Sequence, residues 1–439
     1  MLVLGLAKSG TAAAELLLQS NINVRINDKN TAESDPIVST LRAKGAEVIV
    51  GSHPESVLEN IELIVKNPGI PYEHPLIKRA LDKNIPIITE VELAYQLAKH
   101  NQIIGITGSN GKTTTTMLVY EMLKQSETPV KLAGNIGIVA TEIAQQLEDE
   151  ERLLLELSSF QLLGIDDFRP NIACLLNLYD AHLDYHGSVE EYEEAKAQIF
   201  KNQTTSDFFI YNEDDEKIKK WLPFTKATLI PFSITKPLPN GAWTDRKSLY
   251  FKDQEIISLA DVALVGSHNV ENMLAAIAVA MISGATIEGI RTTLMTFTGV
   301  KHRLQFVTEL NGRKFYNDSK ATNALATKKA LSSFQTPTIL LAGGLDRGED
   351  LTTLVPFLNN VKACVFFGET KEKLKKVAQL AKIDEVFLVQ DVTEATKLAY
   401  ELSESGDTIL LSPACASWDQ YKTFEERGDM FIQTVHTLT

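Results

Sequence analysis

Short apolar runs alternate along the chain with longer segments in which apolar residues recur every three or four positions. The first pattern is typical of the buried strands of a parallel sheet, and the second is typical of amphipathic helices. Apolar runs predict strands at residues 2–4, 23–26, 63–65, 103–106, 153–157, 172–177, 208–211, 315–317, 338–342, 363–367, 386–389 and 408–411. Because helical patterns lie between them, the chain is predicted to be an α/β protein with parallel sheets.

The strands fall into three blocks, which predict three domains. Residues 1–90 are expected to form a Rossmann-like domain, residues 91–298 a central P-loop ATPase-like mononucleotide-binding domain, and residues 299–439 a second Rossmann-like domain. In the first block, Gly5 and Gly10 keep only the outer glycines of a dinucleotide fingerprint, which is weak evidence alone. Asp28 follows about twenty residues later, where a ribose-binding acid is found in that fold.

Composition narrows the class of protein. The 439 residues carry a net charge of −14, which argues against nucleic-acid or anionic-membrane binding over the whole surface. Cys174, Cys364 and Cys415 lie far apart without metal-ligand spacing, so buried thiols in a reducing compartment are expected. With neither a basic leader nor a membrane-length apolar run, a cytoplasmic protein without membrane insertion is expected.

The most informative motif is a glycine-rich turn after the strand at residues 103–106. The sequence IIGITGSNGKTTTT spans residues 103–116, so a helix begins near Lys112 and Thr113. Such a turn directs backbone N–H groups, an ammonium and a Mg²⁺-binding hydroxyl at a phosphate. The first glycine of the full Walker pattern would fall at Ile106. An ordinary strand-to-helix turn is the alternative, but the two glycines, the lysine and the four threonines of residues 108–116 favour nucleoside triphosphate binding.

Four further residues in three segments carry candidate chemistry. Glu156 ends an apolar run, where a carboxylate beside a phosphate loop can hold Mg²⁺, although an exposed strand-end residue is the common alternative. His182 and His186 are four residues apart, but without an HExxH pattern or a cysteine partner a capping or hydrogen-bonded histidine is commoner than zinc. Lys196 lies in an acidic helical stretch, so the residues alone favour an exposed lysine paired with Glu193.

Polar segments elsewhere suggest ligand contacts as well as simpler roles. Asn269 and Asn272 open a helix, which they could cap, or they could hold a base or ribose. Arg303 could reach a phosphate or form a linker salt bridge. Three polar loops follow predicted strands of the last block, at residues 317–323, 343–347 and 411–417. We expect them to meet at one sheet edge, where α/β domains bind ligands.

Taken together, these motifs resemble the Mur ligase family, the ATP-dependent amide-forming enzymes of peptidoglycan precursor synthesis. The matching positions are residues 107–113, Glu156, His182, Lys196, His268, Asn269, Asn272 and Arg303. Within the family, the member that adds D-glutamate is matched by residues 134–137 (GNIG), 156–162 (ELSSFQL), 317–323 (NDSKATN) and 411–417 (LSPACAS), with Phe424. The resemblance covers all three predicted domains.

The resemblance implies an amide ligase with ATP, UDP-N-acetylmuramoyl-L-alanine and D-glutamate as substrates and two Mg²⁺ ions as cofactors. ATP would be bound by Gly108, Ser109, Asn110, Gly111, Lys112, Thr113, Thr114, Asn269, Asn272, Arg303 and Asp318. The UDP-linked substrate would be bound by Lys8, Ser9, Asp28, Asn67, Gly69, Asn135, Ser158 and Gln161. D-Glutamate would be bound by Lys320, Thr322, Arg347, Ser417 and Phe424.

The same resemblance assigns catalytic and metal roles and reverses the interpretation of Lys196. The catalytic residues would be Lys112, Glu156, His182 and Lys196. The Mg²⁺ ligands would be Thr113, Glu156, His182 and Lys196, the last carrying a carbamate. Two other classes stay open at this point: a nucleotide-sugar oxidoreductase built on the first block, and a regulatory P-loop ATPase or scaffold. No nucleic-acid partner is expected, and the sequence identifies no protein partner.

Overall fold

The computed structural model describes residues 1–179, 183–264 and 266–438. The chain forms two compact units, Met1–Phe297 and Thr298–Thr439. The first unit contains two sheets and the second contains one, and helices connect most of the parallel strands. The predicted α/β class is therefore confirmed, whereas the domain boundaries after residues 90 and 298 stay predictions.

The first sheet has five parallel strands in the order β3-β2-β1-β4-β5. They are β1 (Leu2–Leu4), β2 (Arg25–Asp28), β3 (Glu47–Val50), β4 (Ile64–Lys66) and β5 (Ile87–Ile88). The helices are α1 (Lys8–Gln19), α2 (Pro36–Ala43), α3 (Pro75–Asp82) and α4 (Glu90–Ala98). The strand order reverses between β1 and β4, and a crevice at such a reversal is where open α/β sheets bind ligands.

The second sheet has nine strands in the order β14-β13-β12-β11-β10-β9-β6-β8-β7. They are β6 (Ile103–Thr107), β7 (Val130–Gly134), β8 (Arg152–Glu156), β9 (Ile172–Leu175), β10 (Phe208–Asn212), β11 (Thr228–Ser233), β12 (Ala242–Thr244), β13 (Ser248–Phe251) and β14 (Gln254–Ser258). Neighbouring strands are parallel from β7 to β12, and β13 and β14 extend the sheet in antiparallel pairs. Strand β6 lies inside the sheet and is buried along its whole length.

Helices cover this second sheet. They are α5 (Lys112–Gln125), α6 (Ala140–Ala144), α7 (Ser159–Leu162), α8 (Leu183–His186), α9 (Val189–Ala197), α10 (Glu216–Lys219), α11 (Ser267–Ile282) and α12 (Ile287–Thr296). Helix α5 packs against α11 and α12, with Leu118 and Met122 in one buried cluster with Leu274 and Ala278. This packing fixes the start of α5 at the carboxyl edge of the sheet.

The sheet of the second unit has the order β15-β16-β20-β17-β18-β19, and only β15 is antiparallel to its neighbour. The strands are β15 (Gln305–Leu310), β16 (Arg313–Asn317), β17 (Thr338–Gly343), β18 (Val361–Phe367), β19 (Glu385–Leu388) and β20 (Thr408–Leu411). The helices are α13 (Ala324–Leu331), α14 (Lys371–Leu380), α15 (Val392–Leu402) and α16 (Phe424–His436). Because β16, β20 and β17 are adjacent and parallel, the three polar loops that follow them lie side by side.

Two expectations from composition can be compared with the structure. Cys174, Cys364 and Cys415 are buried free thiols, as predicted. Within residues 1–179, 183–264 and 266–438, no helix combines the length and the apolar character that a membrane crossing requires.

Candidate active site

The phosphate-type loop connects β6 to α5 and depends on two glycines with positive φ. Gly108 has φ +155° and Gly111 has φ +81°. A Cβ atom at Gly111 would lie 2.1 Å from Asn272 Oδ1, and one at Gly108 would lie 2.9 Å from the Leu176 Cβ. Both positions therefore need glycine for space as well as for backbone conformation. The turn presents the start of α5 at the sheet edge, and the first N–H groups of a helix are suited to bind an anion.

Lys112 is the first residue of α5 and folds back over the loop. Its Nζ donates to Gly108 O at 2.7 Å and to Ser109 O at 3.1 Å. Thr113, the next residue, is 4% exposed. An ammonium and a hydroxyl thus lie together at the N-terminus of a helix, which is the arrangement that binds phosphate and its Mg²⁺.

Two asparagines of α11 lie against the same helix start. Asn272 Oδ1 accepts from Thr115 Oγ1 at 3.4 Å, and Asn272 Nδ2 donates to Asn269 Oδ1 at 3.0 Å. The loop is also held from the other side, where Asn110 N donates to Asn177 Oδ1 at 2.8 Å. Asn269 and Asn272, predicted from sequence as ATP contacts, therefore lie beside the phosphate-type loop.

Glu156 ends β8, and β8 pairs directly with β6. Its side chain is buried, and one carboxylate oxygen accepts from Asn135 Nδ2 at 2.8 Å. The other oxygen, Oε2, is buried and has no hydrogen-bond partner within the described chain. Since a buried carboxylate oxygen without a partner is costly, this oxygen is suited to accept a cation. Oxygen ligands of this type beside a phosphate loop fit Mg²⁺.

Lys196 lies near the end of α9 and is only 1% exposed. Its Nζ donates to Gly108 O at 2.9 Å, so it contacts the same carbonyl as Lys112. Burial and the nearby Lys112 ammonium lower the pKa of Lys196 well below its ordinary value, despite the opposing attraction of Glu156. The alternative in which Lys196 is an exposed partner of Glu193 is wrong.

Glu193 forms its ion pair with a residue other than Lys196. The acidic residues around Lys196 had favoured an exposed lysine in the sequence analysis. The Glu193 carboxylate lies 3.2 Å from Lys217 Nζ. Helix α9 is acidic, but it packs one face beneath the phosphate-type loop. There Tyr192 OH donates to Ser109 Oγ at 3.0 Å, and its ring lies 4.8 Å from Lys196 Nζ. Glu190, Glu191 and Glu194 are exposed, whereas Glu193 is buried.

The structure tests the prediction for only one of the two histidines, His186. His182 lies outside the described residues, so its catalytic and metal roles stay predictions. His186 is buried, and its Nε2 lies 2.9 Å from Ser159 Oγ. Its ring stacks on Phe160 with centroids 5.4 Å apart. His186 is therefore a hydrogen-bonded core histidine, and in the described part of the chain no three His, Cys, Asp or Glu residues cluster as a metal site.

In the first sheet, predicted substrate residues meet at the strand-order reversal. Asn67 Nδ2 donates to Ser9 Oγ at 3.1 Å, and Asn67 Oδ1 accepts from Gly69 N at 3.1 Å. Gly5 follows β1 with φ +95°, and a Cβ there would lie 2.9 Å from the Asn67 Cβ. The structure therefore brings Ser9, Asn67 and Gly69 together, and Lys8 lies exposed at the start of α1.

Asp28 shapes the neighbouring turns. Its carboxylate accepts from Leu6 N at 2.7 Å, Asn30 N at 2.7 Å and Thr31 N at 2.9 Å. Partial burial opposes ionisation, but the hydrogen bonds prevail and lower the pKa of Asp28. Asp28 is thus an ionised group that connects the glycine turn after β1 to the turn after β2.

Ser158 and Gln161 lie in the segment that follows Glu156, at the start of α7. Ser158 Oγ accepts from Gln161 N at 3.3 Å, and Gln161 Oε1 accepts from Ser158 N at 2.9 Å. This reciprocal capping box fixes the start of α7. Asn135 reaches the same segment through its bond to Glu156. Three predicted substrate residues therefore lie around one strand end.

In the second unit, a residue that the sequence analysis missed joins the three polar loops. Arg427 of α16 is fully buried, and it donates to Ser319 O at 3.0 Å, Gly343 O at 3.2 Å and Cys415 O at 3.1 Å. Burial lowers its pKa to about 10, and Asp419 opposes this shift. The acidic segment around it, FEERGD, indicated only a surface helix. The sequence signal that could have identified Arg427 is a basic residue one turn into the helix that follows the LSPACAS segment.

The predicted D-glutamate residues occupy this loop cluster but do not all meet. Thr322 and Arg347 line one small pocket, together with Cys415 and Ala416. Ser417 is 1% exposed, and its Oγ is buried without a hydrogen-bond partner within the described chain. Such an orphaned hydroxyl is typical of a binding site.

The two remaining residues of the set, Lys320 and Phe424, form one cation–ring pair, and Arg347 forms another with Trp418. Lys320 Nζ lies 5.7 Å from the Phe424 ring centroid, and the Arg347 guanidinium lies 4.4 Å from the Trp418 ring centroid. Trp418 is 64% exposed, so Arg347 is presented at the surface of the loop cluster on an aromatic face.

Arg303 and Asp318, predicted as ATP contacts, belong to the second unit. Asp318 accepts from Leu304 N at 3.1 Å and from Ser412 Oγ at 2.9 Å, and burial raises its pKa to about 7. These contacts attach it to the strand edge beside Arg303. The assignment of both residues to ATP stays a prediction.

Comparison with known proteins places these features in context. Three family models match the chain: "Mur ligase MurD-like, N-terminal domain" over residues 1–89, "Mur ligase middle domain" over residues 106–280, and "Mur ligase, glutamate ligase domain" over residues 302–415. UDP-N-acetylmuramoylalanine–D-glutamate ligase of Oceanobacillus iheyensis is 57% identical over 438 residues, covering 100% of this chain and 97% of that protein. The protein of the same name from Bacillus cereus strain Q1 is 53% identical, covering 100% and 97%.

Solved structures agree in fold. UDP-N-acetylmuramate-alanine ligase MurC from Thermotoga maritima superposes with a TM-score of 0.57 at 18% identity, covering 100% of this chain and 99% of that one. MurF ligase from the same organism, solved in complex with ADP, gives a TM-score of 0.57 at 18% identity, covering 95% and 96%. At this level of identity the likeness concerns the fold alone.

Proposed function

The chain belongs to the Mur ligase family, and we propose that it is the ATP-dependent ligase that adds D-glutamate to UDP-N-acetylmuramoyl-L-alanine. The observation that carries this proposal is the 57% identity, over the whole chain, to a relative named for that reaction. The geometry of the phosphate-type loop supports the ATP-dependent step. A cytoplasmic place in peptidoglycan precursor synthesis is part of the same proposal.

The chemistry begins with a carboxylate that is a poor electrophile toward an amine. One oxygen of the L-alanyl carboxylate attacks the γ-phosphorus of ATP, so that ADP leaves and an acyl phosphate forms. The amine of D-glutamate then attacks the acyl carbon, loses a proton and expels inorganic phosphate. Lys112 and the N–H groups of Gly108–Thr113 would neutralise and orient the phosphoryl group in transfer.

We propose Mg²⁺ at two sites beside this loop. The Thr113 hydroxyl and the unpaired Oε2 of Glu156 would hold one ion, and Glu156, His182 and a carbamate on Lys196 would hold the other. When bound, Mg²⁺ would offset the negative charge of the triphosphate. The residues present fit oxygen coordination, because Glu156 Oε2 is buried beside the loop without a hydrogen-bond partner in the described part of the chain.

A carbamate at Lys196 is chemically consistent with its surroundings. Only the unprotonated amine attacks carbon dioxide, giving a C–N bond, a carboxylate and a released proton. The lowered pKa of Lys196, caused first by burial and then by Lys112, favours that neutral amine. The modification would exchange a buried amine for an anionic oxygen ligand.

The UDP-linked substrate and D-glutamate would be bound by the other groups of residues described above. Ser9, Asp28, Asn67 and Gly69 at the first sheet would hold the UDP end, and Asn135, Ser158 and Gln161 would lie nearer the reacting carboxylate. In the second unit, D-glutamate would be held by Lys320, Thr322, Arg347, Ser417 and Phe424.

Omitting each substrate in turn tests this function. Phosphate release should require ATP, UDP-N-acetylmuramoyl-L-alanine and D-glutamate together. If L-alanine, L-lysine or diaminopimelate replaced D-glutamate with equal efficiency, the proposed amino-acid specificity would be wrong. Full release with ATP alone would instead indicate a P-loop ATPase.

A further inference from the structure

A second buried lysine lies in the first unit, at the end of β4. Lys66 is 1% exposed, and its Nζ donates to Ile70 O at 2.7 Å and lies 3.4 Å from both Asn67 O and Pro68 O. Burial lowers its pKa to about 7, and no carboxylate in the described chain offsets that effect. A lysine buried in this way is costly, so its position calls for a role.

Two tyrosines enclose this ammonium. Lys66 Nζ lies 4.8 Å from the centroid of Tyr72 and 3.2 Å from Tyr185 OH. The Tyr185 hydroxyl also lies 2.9 Å from Pro68 O and 2.9 Å from Ile70 O. The carbonyl oxygens of the turn at residues 67–70 therefore converge on one ammonium and one phenol.

Both tyrosines join this turn to the central sheet. Tyr185 belongs to α8, which begins directly after His182, and Tyr72 OH donates to Leu163 O at 3.1 Å just beyond α7. Helix α7 follows Glu156 by three residues. The turn is thus attached to both segments that adjoin the proposed catalytic positions.

We infer that Lys66 and Tyr185 are positioning residues that hold the turn 67–70 in register with the central sheet, so that the turn can bind the diphosphate of the UDP-linked substrate. This inference rests on the proposed function, in which Asn67 and Gly69 hold the UDP end. Three carbonyl oxygens of the turn face the ammonium, so they do not face an incoming anion. The fixed turn also sets the distance from the nucleotide end to the reacting carboxylate.

Steady-state kinetics of the full-length enzyme tests the inference with Lys66→Met and Tyr185→Phe. Methionine keeps an unbranched side chain but removes the ammonium. Phenylalanine keeps the ring contact with Phe160, whose centroid is 4.4 Å away, but removes the hydroxyl. Each variant should raise the KM for the UDP-linked substrate about tenfold or more. The KM values for ATP and D-glutamate should stay within about twofold.

A double variant and a matched control sharpen the result. If the two side chains act as one unit, Lys66→Met combined with Tyr185→Phe should be no worse than the poorer single variant. Lys83→Met makes the same substitution at an exposed lysine after α3 in the same domain, and it should match the wild type. A role limited to stability would lower the melting temperature of Lys66→Met and leave all KM values unchanged, which would overturn the inference.

Calorimetric binding of UDP-N-acetylmuramoyl-L-alanine, without ATP or D-glutamate, separates this inference from the proposed function. If the wild type binds the nucleotide but forms no amide, the proposed function fails. The affinity of Lys66→Met then still decides the inference, which predicts a dissociation constant about tenfold higher or more. Equal affinity of wild type and Lys66→Met, or no binding by the wild type, would overturn it.

Discussion

Replacing Lys196 by alanine tests the proposed metal site. The substitution removes an Nζ atom that lies 2.9 Å from Gly108 O, together with any carbamate built on it. We expect turnover to be almost lost and partly restored by acetate or bicarbonate, because a free carboxylate can enter the space that the side chain leaves. Lys196→Arg should not be rescued, because its bulk and charge fill that space.

The structure allows the effects on catalysis and on stability to be compared. Loss of one preorganised charged group at a phosphoryl-transfer site lowers turnover by about 100- to 1,000-fold. Loss of the three buried methylenes costs about 2–4 kcal/mol with the cavity included, and removal of the desolvated amine offsets part of that cost. Since a folded domain typically has about 5–15 kcal/mol of stability, the variant should stay folded while its turnover collapses.

The assay is steady-state phosphate release with and without acetate, at matched ionic strength. Lys201→Ala is the control, because Lys201 is exposed just beyond the same helix. In addition, ¹³C-labelled bicarbonate should give a carbamate signal by NMR in the wild type and none in Lys196→Ala. Full turnover of Lys196→Ala without acetate would return Lys196 to a structural role and leave only the site at Thr113 and Glu156.

Three further variants give independent predictions. Lys112→Ala should lower turnover by about 100-fold or more with an unchanged melting curve, and near-normal turnover would sink the phosphate-loop interpretation. Ser417→Ala removes a hydroxyl without a partner in the described chain, so the KM for D-glutamate should rise about tenfold while unfolding free energy changes by less than about 0.5 kcal/mol. An unchanged KM would remove Ser417 from the D-glutamate site. Burial raises the pKa of Glu90 to about 7, although the hydrogen bond from Thr141 N opposes this shift. The folded state therefore binds the Glu90 proton more tightly than the unfolded state does. The resulting stabilisation is complete below the unfolded pKa and is lost as the pH rises through about 7. In urea unfolding, the free energy of unfolding of Glu90→Gln should rise relative to that of the wild type by up to about 3 kcal/mol between pH 5 and pH 8. A difference between the two proteins that does not change with pH would contradict the raised pKa.

The central strands were predictable because their apolar runs are short and bounded by turn residues. The strand predicted at residues 408–411 has those bounds in the structure, and the one predicted at residues 103–106 extends by one residue. Strand β2 was predicted two residues early, because its second half is polar. Asn27 there is fully buried and donates to Ile49 O at 2.9 Å, which a hydrophobic pattern does not reveal.

Most strands at the sheet edges, and the strand that contains Pro231, were not predicted, although the edge strand β19 was. β11 contains Pro231, which lowers the expectation of a strand, yet Pro231 pairs in register with Tyr211 of the neighbouring strand. β15 is the antiparallel edge of its sheet and lacks a fully buried face. Such elements depend on the sheet beside them more than on their own sequence.

In the candidate site too, some residues could be identified from the local sequence and others could not. The phosphate-type loop and Glu156 were identifiable because glycine spacing and a strand-end carboxylate are local signals. Lys66, Lys196 and Arg427 were not recognised as buried, because a lysine or arginine at a strand end or on an acidic helix normally faces water. Their burial arises from long-range packing, which neither composition nor periodicity records.

Transfer of ¹⁸O tests the central claim most directly. UDP-N-acetylmuramoyl-L-alanine labelled with ¹⁸O in both oxygens of its L-alanyl carboxylate should be incubated with ATP, Mg²⁺ and D-glutamate, and the released phosphate analysed by mass spectrometry. Attack of the carboxylate on the γ-phosphorus followed by amide formation predicts a single ¹⁸O atom in each phosphate released, with matching amide product. Phosphate without ¹⁸O would contradict the acyl-phosphate route and indicate hydrolysis of ATP by water.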